Sequence, residues 1–164
     1  MVSIDKKTEL KQKLAQARTN LQNLLASLNE AQWHTPVISE GDTWTVLDIV
    51  AHLVENERGM SIHVHKIRQG KETVSEGFDL NQWNAGLKGR MGSPTPTELL
   101  ENMAQTRART LEGLESIQDT EWELTGRHPF RSLITIEQYY ETIALHDTLH
   151  ANDIKKALEI QNRN

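Results

Sequence analysis

Leu14, Leu21 and Leu28 recur every seven residues in TELKQKLAQARTNLQNLLASLNEAQW, with Leu10, Ala17 and Leu24 interleaved. Seven residues make about two helical turns, so these side chains form one seam that needs a partner to bury it. Three more segments carry the same period. TWTVLDIVAHLVENERGMSIHVHKIRQG sets Ile49, Val50, Leu53, Met60, Val64 and Ile67 on one stripe and offers Gly70 as its stop. TPTELLENMAQTRARTLEGLESI opens on a capping signature, with Thr95 as N-cap, Pro96 at the first helical position and Glu98 reaching back. It then turns Met103, Leu111 or Thr110, Leu114 and Ile117 towards a core. A last helix, predicted from about Thr135 to Ile160, carries Ile136, Tyr139, Tyr140, Ile143, Ile154 and Ala157. No segment alternates with period two, so no strand is expected. Four such helices predict an all-α four-helix bundle.

A chain of 164 residues is expected to form one domain, 1–164, with a core large enough to need no staples. The connections are unequal. Residues 70–94, GKETVSEGFDLNQWNAGLKGRMGSP, exceed a plain loop and predict a long crossover between the second and third long helices. A short helix around Asp79–Arg90 is expected there, with Phe78 and Trp83 packed on the bundle, where the crossover can cover one end of a pocket. The net charge of −5 is spread along the chain, which argues against a nucleic-acid partner. With no cysteine, any metal would be held by nitrogen and oxygen ligands. The first residues lack the apolar run of a signal peptide, and no stretch approaches the ~18–20 apolar residues of a membrane span. A cytoplasmic protein without membrane contact is the expectation.

ETIALHDTLHANDI places His146 and His150 four residues apart, on one side of the last helix and within its apolar sector. Two imidazoles so placed can reach one ion, but a stable site needs a third. Of His34, His52, His63, His65 and His128, His52 is the best placed, beside the apolar stripe and near the start of its helix. His63 points a similar way but lies ~16 Å further along. Position alone leaves the choice open. Buried imidazoles are satisfied together around a divalent cation, or one by one on carbonyls and carboxylates.

TWTVLDIVAHLVENE is similar to the tryptophan, aspartate and histidine-leucine pattern in the second helix of DinB-like proteins. ALHDTLHANDIKKAL resembles the two-histidine pattern of their fourth helix. The resemblance covers nearly the whole chain. It implies an up-up-down-down bundle, a divalent metal on His52, His146 and His150, frequent homodimers, and no role in binding DNA. Leu25 and Trp33, outside the main seam, are expected on the surface of such a dimer.

Other residues have two readings. Asp48 either supports a ligand imidazole or completes an N-cap with Thr45, and the cap is favoured. Asp147 is read as facing the bundle and Asp153 as facing solvent or a partner helix. Trp44, Tyr139 and Tyr140 are read as core. Arg127 and Arg131, around HPF, fit a solvated loop better than an anion site.

Three histidines leave at least one coordination position open, unlike a closed structural site. Relatives of known chemistry include transferases and isomerases that activate a low-molecular-weight thiol at the metal. The expected activity is a zinc- or nickel-dependent thiol transfer on a small molecule, in detoxification. A metal-assisted hydrolase is the nearest alternative, and a non-catalytic ligand-binding bundle the alternative of another class.

Overall fold

The apolar stripes become four long helices in the computed structural model, which describes residues 5–39 and 42–162. These are α1 (Lys6–Ala26), α2 (Val46–Arg68), α5 (Pro96–Ser116) and α6 (Ile136–Asn162). Two short helices, α3 (Leu80–Ala85) and α4 (Leu87–Met91), occupy the crossover where one was expected, and the break falls at Gly86. Threonine starts three of the long helices. Thr45 with Asp48 and Thr95 with Glu98 close capping boxes on α2 and α5. Thr135 and Gln138 exchange the same pair of bonds ahead of α6. Each box satisfies amides that a first helical turn leaves without a partner. Gly70, at φ 70°, stops α2 as expected.

The bundle and its long crossover are as the sequence predicts; the order of chain directions is different. Lys6 meets Glu137, Lys13 meets Glu141 and Arg18 meets Asp147, so α1 and α6 run parallel. Glu57 meets Arg107 and Arg68 meets Ser116, so α2 and α5 are also parallel. Arg18 reaches the Met103 carbonyl and Lys7 the Glu115 carbonyl, which sets α1 antiparallel to α5. The order is therefore up-down-down-up rather than up-up-down-down. The connections dictate it. The connection after α1, with its β-hairpin, turns the chain round into α2, whereas the crossover travels back along the bundle and lets α5 repeat the direction of α2.

Two β-hairpins appear that the sequence did not announce. β1 (Pro36–Ser39) pairs antiparallel with β2 (Asp42–Thr45), and β3 (Thr125–His128) with β4 (Ser132–Thr135). Four-residue strands are too short for a period-two signal to stand out. Each hairpin runs straight into the threonine cap of α2 or α6, so it fixes where those helices begin. Gly126 lies against Ile67; an added Cβ would come within 2.5 Å of that side chain, so only glycine lets β3 sit down on α2.

The core is in two parts. Leu21, Leu25, Trp33, Val37, Trp44, Ile49, Val50, Leu99 and Ile154 fill one end, while Leu10, Leu14, Met60, Val64, Leu114, Tyr139 and Ile143 fill the other. Leu25 and Trp33 are thus buried, 2% and 5% exposed, and not the dimer surface expected of them. The hairpin β1–β2 folds the chain after α1 back over them.

One charged residue from each long helix lies in the interior: Arg18, Glu57, Arg107 and Asp147, all less than 9% exposed. Arg18 donates to Asp147 at 3.0 Å and to Glu57 at 2.8 Å. Arg107 donates to Glu57 at 2.6 Å and to Asp147 at 2.9 Å. Each guanidinium also caps a carbonyl of another helix, Met103 or Leu14. Removing one member strands a buried charge. Arg107→Met should lower stability by about 3–5 kcal/mol in urea unfolding. Lys13→Met, which removes only solvated pairs, should cost less than about 1 kcal/mol.

Candidate metal centre

Next to this charged layer, α2 supplies His52 and α6 supplies His146 and His150. Their rings are 5%, 8% and 2% exposed. Nε2 of His146 lies 3.2 Å from Nε2 of His52 and 2.9 Å from Nε2 of His150. Each ring offers one ligand atom to a group in which all three lie within 4.8 Å of one another. Nitrogens sharing a tetrahedral ion at about 2.0–2.1 Å would stand roughly 3.4 Å apart. The observed spacing is close to that, and the three-histidine group fits a divalent metal.

The outer nitrogens favour the same reading. Nδ1 of His150 lies 3.2 Å from Asp153, which also accepts from Ser39 of β1 at 2.9 Å. A proton held on Nδ1 by that carboxylate leaves the Nε2 lone pair for an ion. Asn56 places its amide nitrogen 3.0 Å from Nδ1 of His146; with the amide turned over, its oxygen accepts from an Nδ1–H and takes the same role. The Trp44 ring lies 4.9 Å from that of His52 and walls the site from the bundle end.

Placement of the sequence candidates is mixed. Asp48 is the cap rather than a histidine support. Asp153 keeps a side chain partly open to solvent, as expected, and at the same time orients His150. Asp147 faces the interior as expected. Trp44 and Tyr140 are core; Tyr139 is core too, and its hydroxyl donates to the Arg127 carbonyl at 2.8 Å. Arg131 bonds Thr142. His34 and His65 are exposed. Phe78 and Trp83 do not seal against the bundle; they wall a cavity of about 370 Å³ that opens from His52 along α2.

The sequence reading missed Arg18, Glu57 and Arg107. The signal was present: each stands four residues after one member of an apolar stripe and three before the next, where a charge can be buried only if paired. Ser39 and Asn56 gave no comparable signal, because the tertiary fold alone brings them to α6.

The geometry agrees with the sequence comparisons. The DinB superfamily model matches residues 13–154, and the chain belongs to that family. No curated protein matches the sequence. Among solved structures, a mycothiol-dependent maleylpyruvate isomerase is similar at 18% identity and TM-score 0.70, covering 88% of this chain. This chain spans 60% of the isomerase's length. YfiT from Bacillus subtilis, described as "a probable metal-dependent hydrolase with an unusual four-helix bundle topology", is similar at 20% identity and TM-score 0.76, covering 99% of this chain and 91% of YfiT. The colibactin self-resistance protein ClbS, solved in complex with a dsDNA, is similar at 16% identity and TM-score 0.71, covering 96% of this chain and 98% of ClbS. That complex is an exception to the expectation that such proteins do not bind DNA. Among the described residues no helix is long and apolar enough to cross a membrane.

A further histidine stands near the site. His128, on β3, is 2% exposed; its Nδ1 accepts the Phe130 amide, and its Nε2 is buried without a partner. Burial first, then Arg131, His63 and His146, push its pKa down to about 3. Between that value and the ~6.5 of an unfolded histidine, the unfolded chain binds a proton that the folded one refuses, so stability falls as the pH falls. Metal-free protein should lose stability between pH 7 and pH 5. In His128→Gln that loss should shrink by on the order of 1 kcal/mol, read from urea midpoints at the two pH values.

Proposed function

We propose that this chain is a divalent-metal-dependent enzyme using zinc or nickel, with His52, His146 and His150 as ligands and a low-molecular-weight thiol as co-substrate. The reading rests on three imidazole Nε2 atoms that converge on one another, with His52 also lining one end of a largely apolar cavity. When bound, the ion would supply a Lewis acid with an open position, able to lower the pKa of a thiol or water.

The chain's own groups do the rest. Asp153 would hold a proton on the outer nitrogen of His150, and Asn56, with its amide turned over, would do so for His146, leaving their Nε2 lone pairs to the ion. Trp44 and the buried packing around the three histidines lower the polarity there, which strengthens electrostatic interactions at the site. Among the described residues, Glu57 and Asp147 are tied to two arginines, Glu55 to Arg90 and Asp153 to Ser39. A reaction that needs no separate carboxylate base suits this arrangement, and thiol transfer is such a reaction. The likeness to a mycothiol-dependent isomerase supports the same choice. Hydrolysis is the second reading, favoured by the likeness to YfiT over nearly the full chain. A homodimer belongs to the proposal too, on a surface other than Leu25 and Trp33; monomer alone in light scattering at micromolar concentration would remove it.

Metal content is the first test. Purified protein should bind close to one zinc or nickel per chain, and His150→Ala should lose it while staying helical. Equal metal content in the two would rule the site out. The thiol has its own readout. In cobalt-substituted protein a small thiol should add a charge-transfer band near the ultraviolet that is missing in His146→Ala. No protein sulfhydryl can imitate that band, since the chain has no cysteine. If carboxylates or phosphates perturb the spectrum and thiols do not, hydrolysis takes the lead.

A further inference from the structure

The cavity that begins at His52 runs along α2 past Asn56, Gly59 and Met60 to His63. Eleven residues of helix make that floor roughly 16 Å long. The crossover forms the opposite wall with Val74, Phe78 and Trp83, and the tip of β3–β4 adds Phe130. Arg90 of α4 holds the wall in place. It stacks on Trp83 at 3.7 Å and donates to both carboxylate oxygens of Glu55 on α2, at 2.8 and 2.7 Å.

Two properties of this cavity point to its occupant. The first is charge. Among the described residues its lining contains one charged side chain, Glu55, and that carboxylate is already neutralised by Arg90. No lysine or arginine lines it to receive an anionic group. Its polar points beyond the metal end are neutral: Asn84, Thr73, Ser75 and His63, whose pKa burial and then Lys66 hold below the usual histidine range. The second is Gly59. In the middle of a helix glycine costs about 1 kcal/mol against alanine. A Cβ there would meet nothing within 4 Å, so packing does not require the glycine. What it leaves is a bare stretch of helix backbone facing the aromatic wall, a flat slot between α2 and the crossover.

We propose that this slot takes an uncharged substrate with a flat aromatic or similarly broad apolar body, and that Gly59 sets the clearance for it. The body lies between the α2 backbone at Gly59 and the wall of Phe78 and Trp83. Its reacting end is at His52, the one member of the three-histidine group that lines the slot, and a hydroxyl, amide or carbonyl at the far end meets the neutral imidazole of His63. A substrate with an anionic tail is disfavoured, because burying that charge in this lining leaves it without a counterion. The inference deepens the reading of the site as an enzyme centre and rests on it for the word substrate; the ligand class of the slot is tested without metal or turnover.

The test uses a matched pair of fluorescent probes with the same rings, N-phenyl-1-naphthylamine, which is neutral, and its 8-sulfonate, which is anionic. The neutral probe should bind one per chain and at least tenfold more tightly than the sulfonate, with or without metal. Gly59→Trp should weaken it at least tenfold, whereas Gly59→Ala should remain folded and weaken it far less. Ser75→Trp, which fills the slot from the opposite wall and leaves α2 untouched, should weaken it as well; circular dichroism confirms that each variant is folded. Equal affinity for the two probes, or unchanged neutral-probe binding in both folded tryptophan variants, overturns the proposal. Probe binding that passes these tests in a protein that takes up no metal leaves the slot standing and removes the enzyme reading instead.

Discussion

Arg18, Glu57, Arg107 and Asp147 meet in the middle of the bundle, one from each long helix, and everything around them has to conform. Two arginines and two carboxylates cancel in charge, and each guanidinium bridges both acids. Desolvating four ions is costly, and their attraction returns that cost only when the geometry is kept. Hydrophobic seams tolerate sliding and rotation, since one apolar contact replaces another at little cost. A bidentate ion network does not. The layer therefore sets the register of all four helices at one height and separates the two apolar ends of the core.

That register is what brings the three histidines together. Asp147 follows His146 directly, and Glu57 lies little more than a turn beyond His52. Fixing the two acids on the two arginines fixes the neighbouring turns of α2 and α6, and the imidazoles converge there on one another, with Asp153 and Asn56 at their outer nitrogens. The β-hairpins complete the arrangement. β1–β2 caps α2 and carries Ser39 to Asp153; β3–β4 caps α6 and carries Phe130 to the mouth of the cavity. The site thus stands on rigid helices, with its orienting groups delivered from short strands.

The up-down-down-up order also has a functional consequence. Parallel α2 and α5 need a connection that travels the length of the bundle, and that connection passes over the face of α2 bearing His52, Gly59 and His63. A direct antiparallel turn between them would leave this face open to solvent. The cavity beside His52 exists because the chain must return.

By itself the sequence determined the helices, the caps at Thr45 and Thr95, and the stop at Gly70, because these depend on neighbours within a few residues. It also determined that His146 and His150 share a face, since four residues along a helix admit little else. The family resemblance added His52. Chain directions, the hairpins, the burial of Leu25 and Trp33, and the role of Asp153 were decided by tertiary structure. Each depends on which helix lies beside which, and heptad seams of similar leucines are compatible with several arrangements. The charged layer stands between the two. Its members were visible as charges on apolar stripes, but only the assembled bundle shows that they neutralise one another, because pairing across helices leaves no trace in the spacing along any one of them.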